Sequence, residues 1–291
     1  MNISNIINEI AKTDPEVYER VSGRRNLLKS FGSKVAVSAL PLVLGSLFKK
    51  AYGQTTASAS LIASMNYALQ IEYFTYNFYH TGNNTGGLVS AADIAGLQAI
   101  ENHDLGHINF LKNLITTMGG TPYTPKNYIG NPFIAAGAYD FTKSGTFTNV
   151  FTSYAIYLDL GQAFKDLAVR AYKGIIGSNG AGSSFIGTAM QIHSVEARHA
   201  AHVRYVRRNS GAIDNPKPWV SENISFQSAP LNQFIPFYIN ENNILQGTNI
   251  DITTLPGANG STISHTAATE AFDEPLDMTT VQGLLSPFIL I

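Results

Sequence analysis

The sequence predicts an all-α protein: a four-helix bundle with one long crossover between its second and third helices, followed by an extended, irregular C-terminal tail. Three observations predict it. Four segments place apolar residues at alternating spacings of three and four, the repeat of a helix with one face on a core. Two short connections flank one long one, which is the topology of a bundle with a single crossover. After Asn209 the composition turns to Asn, Pro, Ser and Thr, with few charges and little helical period.

The elements follow in order. Segment A runs from about Ser58 to His80, with Leu61, Met65, Ala68, Glu72, Tyr76 and Tyr79 on one face, and stops at the turn-forming run TGNNTGG. Segment B runs from about Ser90 to Met118, aligns Leu97, Glu101, Asp104, His107 or Ile108, Leu111 and Ile115, and ends at Gly119-Gly120 ahead of Pro122. A connection of roughly 27 residues rich in Pro, Gly, Tyr and Asn follows, too long for a hairpin. Segment C covers about Thr146 to Gly174, and a Gly/Ser linker leads to segment D, about Ser184 to Asn209. In segment D the buried stripe is Phe185, Ala189, Ile192, Glu196, His199, Val203 and Val206, while Arg198, Arg204, Arg207 and Arg208 mostly fall off it and read as a solvated face. Near the end of the chain Asp277 is placed to cap a last short helix, MTTVQGLL.

Composition excludes several classes of function. The chain has 291 residues, 44% of them hydrophobic and 13% charged, with a formal net charge of −1, so there is a core to bury and no basic field for nucleic acid. The absence of cysteine removes disulfides, iron–sulfur clusters and thiol nucleophiles. Neither a G-x-S-x-G elbow nor a glycine-rich phosphate loop is present.

Residues 1–53 read as an export signal. SGRRNLLK is followed by the apolar run VAVSALPLVLGSLF, then KK and the small-x-small site Ala51-Tyr52-Gly53. The run is shorter than the roughly 20 residues of a membrane span and is broken by Pro41 and Gly45, so no transmembrane span is expected in the mature chain. Arg24-Arg25 with Leu27, Leu28 and Lys29 resembles a twin-arginine signal, with Gly23 where Ser or Thr is usual and Leu27 where Phe is commoner. The resemblance implies the twin-arginine translocation machinery as a partner, a periplasmic or cell-envelope location, and passage across the membrane in the folded state. The expected division is a signal at 1–53, a bundle at 54–210 and a tail at 211–291 packed on the bundle.

The chemistry lies on the buried stripes. A buried charge costs several kcal/mol unless it is paired or bound to a metal. Glu196 and His199 nevertheless point inward in segment D, and Asp104 and His107 repeat the same acid-x-x-His spacing in segment B. Segments A and C each carry one inward acid at mid-length, Glu72 and Asp159. One carboxylate from each of two helices plus acid-x-x-His from each of the other two is the ligand set of a dinuclear carboxylate site in a bundle. Four carboxylates in a dry core repel one another, and two divalent ions balance them. Oxygen and imidazole ligands without sulfur suit iron or manganese, with zinc as a further candidate. Several neighbours compete for roles. Asp166 is the main rival to Asp159; Glu101 and His103 flank Asp104; His193 and His202 lie one turn outside the pair in segment D; Tyr67, Tyr73, Tyr76, Tyr79 and Tyr205 form aromatic stripes that read first as core.

The motifs EYFTYNFY, HDLGHINFL and VEARHAAHVRYV, together with the closing EAFDEPLDMTTVQGLLSPF, resemble the bacterial ferritin-like domain proteins related to desiccation- and stress-associated proteins. The resemblance covers about residues 58 to 209. It implies the ferritin-like four-helix bundle and a metal site at Glu72, Asp104, His107, Asp159, Glu196 and His199, holding two iron or manganese ions per chain. It also implies reaction with dioxygen or peroxide in the manner of ferroxidases and manganese catalases. Asp104 and Asp159 stand where that plan usually has Glu, one methylene shorter, which leaves open a site for one ion instead of two. A metal-binding or structural envelope protein without turnover is the competing expectation, and a homo-oligomer is compatible with either.

Overall fold

The structure is a computed structural model that describes residues 58–126, 137–178, 185–222 and 229–290. Four long helices form the bundle: α1 (Ala59–Asn83), α2 (Ile94–Thr117), α3 (Tyr154–Ser178) and α4 (Ile186–Asn209). α1 packs along α2, α3 packs along α4, and contact between α1 and α3 joins the two pairs. The short connection within each pair makes its helices antiparallel neighbours, and the long connection from α2 to α3 is the crossover.

Local chemistry sets the ends. Ser58 caps α1 by accepting the Leu61 N–H. α3 begins later than the apolar spacing predicts, at Tyr154 and not near Thr146. The intervening residues 146–153 are spent on turns: the Val150 N–H bonds the Phe147 C=O at 3.0 Å and the Thr152 N–H the Asn149 C=O at 3.1 Å, three-residue closures that do not run on into a helix. α3 also continues past Gly174 to Ser178, because that glycine serves as a close-packing position inside the helix.

The tail is irregular with few strands. It contains a 3-10 helix (Ala229–Tyr238), a two-residue hairpin of β1 (Leu245–Gln246) and β2 (Ile250–Asp251), and two short helices, α5 (His265–Thr269) and α6 (Met278–Leu285). Asp277 caps α6 through the Thr280 N–H. The 3-10 helix and α6 both pack on α3. The crossover and the chain end are tied by backbone bonds, Asp140 N–H to Phe288 C=O at 2.8 Å and Leu290 N–H to Ala138 C=O at 2.9 Å. Phe74 of α1 meets Phe141 of the crossover, Phe164 of α3 and Phe288 of the tail in one aromatic core.

Burial divides the helices into two kinds. α2 and α4 each bury one face, whereas α1 and α3 are buried over most of their circumference. The tail and the crossover cause the difference: the 3-10 helix and α6 cover α3, and Tyr139, Phe141, Phe151 and Phe288 cover the Phe74 and Phe78 side of α1. The export signal expected at 1–53 lies outside the described residues. No described helix is long and apolar enough to cross a membrane.

Candidate metal centre

Glu72 leaves α1 at mid-length, Asp104 and His107 leave α2 one turn apart, and Glu196 and His199 do the same from α4. Residues three apart share a helix face, so each acid-x-x-His pair enters the core together. Glu72, Asp104 and Glu196 are fully buried. Glu72, Asp104, His107 and Glu196 each offer a donor atom, all within 4.8 Å of one another. His107 Nδ1 is 3.1 Å from Glu72 Oε2 and 3.5 Å from Glu196 Oε1. His199 Nδ1 is 3.2 Å from Glu196 Oε1 and 3.6 Å from Asp104 Oδ1.

Outer contacts orient these groups. The Tyr172 hydroxyl of α3 donates to Glu72 Oε1 at 2.6 Å, and burial together with the Glu72 charge holds that phenol well above its usual range, so it stays a donor. His103 Nδ1 lies 2.9 Å from His199 Nε2 with the two rings stacked, which turns the Nδ1 edge of His199 toward the carboxylates. His103 itself is exposed, so the cluster comes within one imidazole of solvent.

α3 contributes something the sequence reasoning missed. Lys165, fully buried, places Nζ 2.7 Å from both oxygens of Asp104 and 2.8 Å from Glu196 Oε2. Burial opposes ionisation of Glu196, but the Lys165 ammonium and the imidazoles outweigh it and hold the carboxyl well below its ordinary range. The signal was present in the sequence: Leu158, Gly161, Lys165, Ala168 and Tyr172 form a buried stripe at spacings of three and four with a charge in its middle.

The expected fourth acid is elsewhere. Asp159 lies about 9 Å along α3 from Lys165, six residues at 1.5 Å each, and its carboxylate pairs with Arg207 Nε. Arg207 also donates to Gln162 and Asp214. The rival Asp166 is gripped by both terminal nitrogens of Arg204 and accepts the Tyr238 hydroxyl at 2.6 Å. Arg204 and Arg207 are therefore buried, contrary to the solvated face expected for them, while Arg198 and Arg208 remain on the outer side of α4. A buried guanidinium with a forked carboxylate partner satisfies the charges that an isolated acid could not. Glu101 is likewise committed outside the cluster, to His80 at 2.7 Å and Asn83 at 2.8 Å.

The arrangement fits a cation. Glu196 Oε1 and His199 Nδ1 are buried side by side, and neither has a hydrogen-bond partner of acceptable geometry among the described residues. Buried polar atoms are rarely left so. Glu72 Oε2 and His107 Nδ1 face the same region, completing a mixed oxygen and nitrogen donor set without sulfur. The family model described as "Ferritin-like domain" matches residues 60–209, from the second residue of α1 to the last of α4. No curated protein and no solved structure matches the chain.

Proposed function

Because the chain belongs to the ferritin-like domain family, we propose that it is an exported protein whose bundle holds iron or manganese at Glu72, His107, Glu196 and His199, and that it reacts with dioxygen or peroxide in stress protection. The observation that carries the reading is the buried pair Glu196 Oε1 and His199 Nδ1, 3.2 Å apart without hydrogen-bond geometry between them, beside Glu72 and His107. A bound redox-active ion would supply electrons to a small oxidant. The protein's own part is to hold the donors in place: Tyr172 fixes Glu72, His103 fixes His199, and Lys165 fixes Asp104 and one oxygen of Glu196. The near-surface position of His103 supports access by molecules of the size of peroxide, while the burial of the carboxylates keeps bulk water out. The export part of the reading is supported by Arg24-Arg25, the apolar run and the Ala51-Tyr52-Gly53 site.

One observation favours a second reading, a structural or metal-storing envelope protein without turnover: the Lys165 ammonium already neutralises part of the cluster without any ion. Two measurements separate them. Metal analysis of protein matured through its own export route should find stoichiometric iron or manganese, and its absence sinks the metal reading. Oxygen release from peroxide, or oxidation of iron(II), should then appear; silence in both assays across iron and manganese forms leaves binding alone.

A further inference from the structure

Resting on the metal reading above, we infer that Lys165 is a built-in cation standing in for one ion of a two-ion site, so that the bundle accommodates a single divalent ion per chain. The ammonium has three N–H donors, and all three are spent on carboxylate oxygens, two on Asp104 and one on Glu196. Glu196 thereby spans the cluster. Its Oε2 faces the lysine, and its Oε1 lies 3.5 Å from His107 Nδ1 and 3.2 Å from His199 Nδ1, with Glu72 in the same cluster. That is the geometry of a carboxylate bridging two cations, with an ammonium as one of them.

Charge counting gives the same answer. Three buried carboxylates, Glu72, Asp104 and Glu196, are balanced by one ammonium and one divalent ion. Two divalent ions beside the lysine would leave a net positive charge in a dry core, where uncompensated charge costs several kcal/mol. α3 offers no replacement acid, because Arg207 and Arg204 hold Asp159 and Asp166. Nor can a second ion sit against Asp104 without displacing Nζ from both of its oxygens. A symmetric clamp of two ions on one oxygen substrate is therefore not available to this chain.

Anaerobic titration of the metal-free full chain with manganese(II) tests the inference, read as bound ions per chain and by electron paramagnetic resonance. The wild type should saturate at one ion with the spectrum of an isolated centre. Lys165→Glu restores a fourth carboxylate and should take up two ions with an exchange-coupled spectrum. Lys165→Asp restores the fourth carboxylate on a shorter stem and should also admit a second ion, so that either variant retaining the helical circular dichroism of the wild type suffices. Saturation at two in the wild type, or at one in a folded variant, overturns the inference while leaving the metal reading intact. No uptake by the wild type or either variant overturns the metal reading and the inference with it.

Discussion

Lys165, Arg204 and Arg207 decide the fate of most of the buried acids in the bundle. Each is almost wholly buried, and each faces carboxylates: Asp104 and Glu196 for the lysine, Asp166 and Asp159 for the arginines. Removing one partner of such a pair typically costs about 3–5 kcal/mol, because the other charge is stranded. Within the cluster His107 carries the pH dependence above neutrality, since Asp104, lifted by burial from 3.8 to about 7, loses its proton below it. Burial works against the protonated form of His107, but Glu72 and Glu196 outweigh burial and lift the imidazole from 6.5 to about 10. A group whose folded value is raised contributes stability that is complete below its unfolded value and is lost as pH rises through the folded one. The metal-free chain should thus lose stability between pH 6.5 and about 10, by about 1.4 kcal/mol for each pH step of tenfold in proton activity. Thermal melts of the metal-free wild type and His107→Gln across that range check this: the wild type should fall more steeply, and parallel curves would refute the assignment. At this scale the acid-x-x-His pairs were legible because both members of each pair lie on a single amphipathic face. Lys165 was passed over although it stands mid-stripe, because a lysine ordinarily carries its charged head out to water along a flexible stem.

At the scale of elements, the contrast between one-faced α2 and α4 and all-round buried α1 and α3 follows from the crossover, which covers α1, and the tail, which covers α3. Arg170, buried in α3, holds the tail down by donating to the Glu274 carbonyl at 2.7 Å and to the carbonyls of Phe237 and Ile239. The Leu276 N–H returns a bond to the Arg170 carbonyl at 3.1 Å. Gly174, one turn further on, makes this approach possible, since a Cβ there would stand 1.9 Å from the Leu276 carbonyl oxygen. A clash with backbone cannot be relieved by turning a side chain. Gly174→Ala should therefore destabilise the protein by about 1–3 kcal/mol, seen as a lower urea midpoint, with manganese stoichiometry unchanged because the cluster lies on the other helices and at Lys165. A normal midpoint would mean that the tail does not depend on this contact. The four helices themselves were legible from periodicity, and α6 from its Asp277 cap. The late start of α3 was not, because residues 146–153, TFTNVFTS, carry neither Gly nor Pro to mark the turns they form.

For the whole molecule, the chain joins a metal-capable bundle to an N-terminal segment that reads as a twin-arginine signal, and the proposal needs both. In a bacterial host with that pathway, mature protein should be recovered from the envelope with its N-terminus just after Gly53. Replacing Arg24-Arg25 by Lys-Lys should retain the full-length chain in the cytoplasm. N-terminal sequencing of fractionated cells reads both, and export of the Lys-Lys variant at the wild-type level would remove the twin-arginine route from the reading.

Hydrophobic spacing was enough to specify four helices, their connectivity and the inward acids and imidazoles of α1, α2 and α4, since Glu72, Asp104, His107, Glu196 and His199 each interrupt an apolar stripe. Which face of α3 meets the cluster was decided only by the packed bundle. A helix wrapped on nearly every side has no polar face to orient it, so the sequence pointed to Asp159, with Asp166 as its rival, and only the packed bundle showed α4 claiming both acids with its arginines and leaving the Lys165 ammonium at the centre.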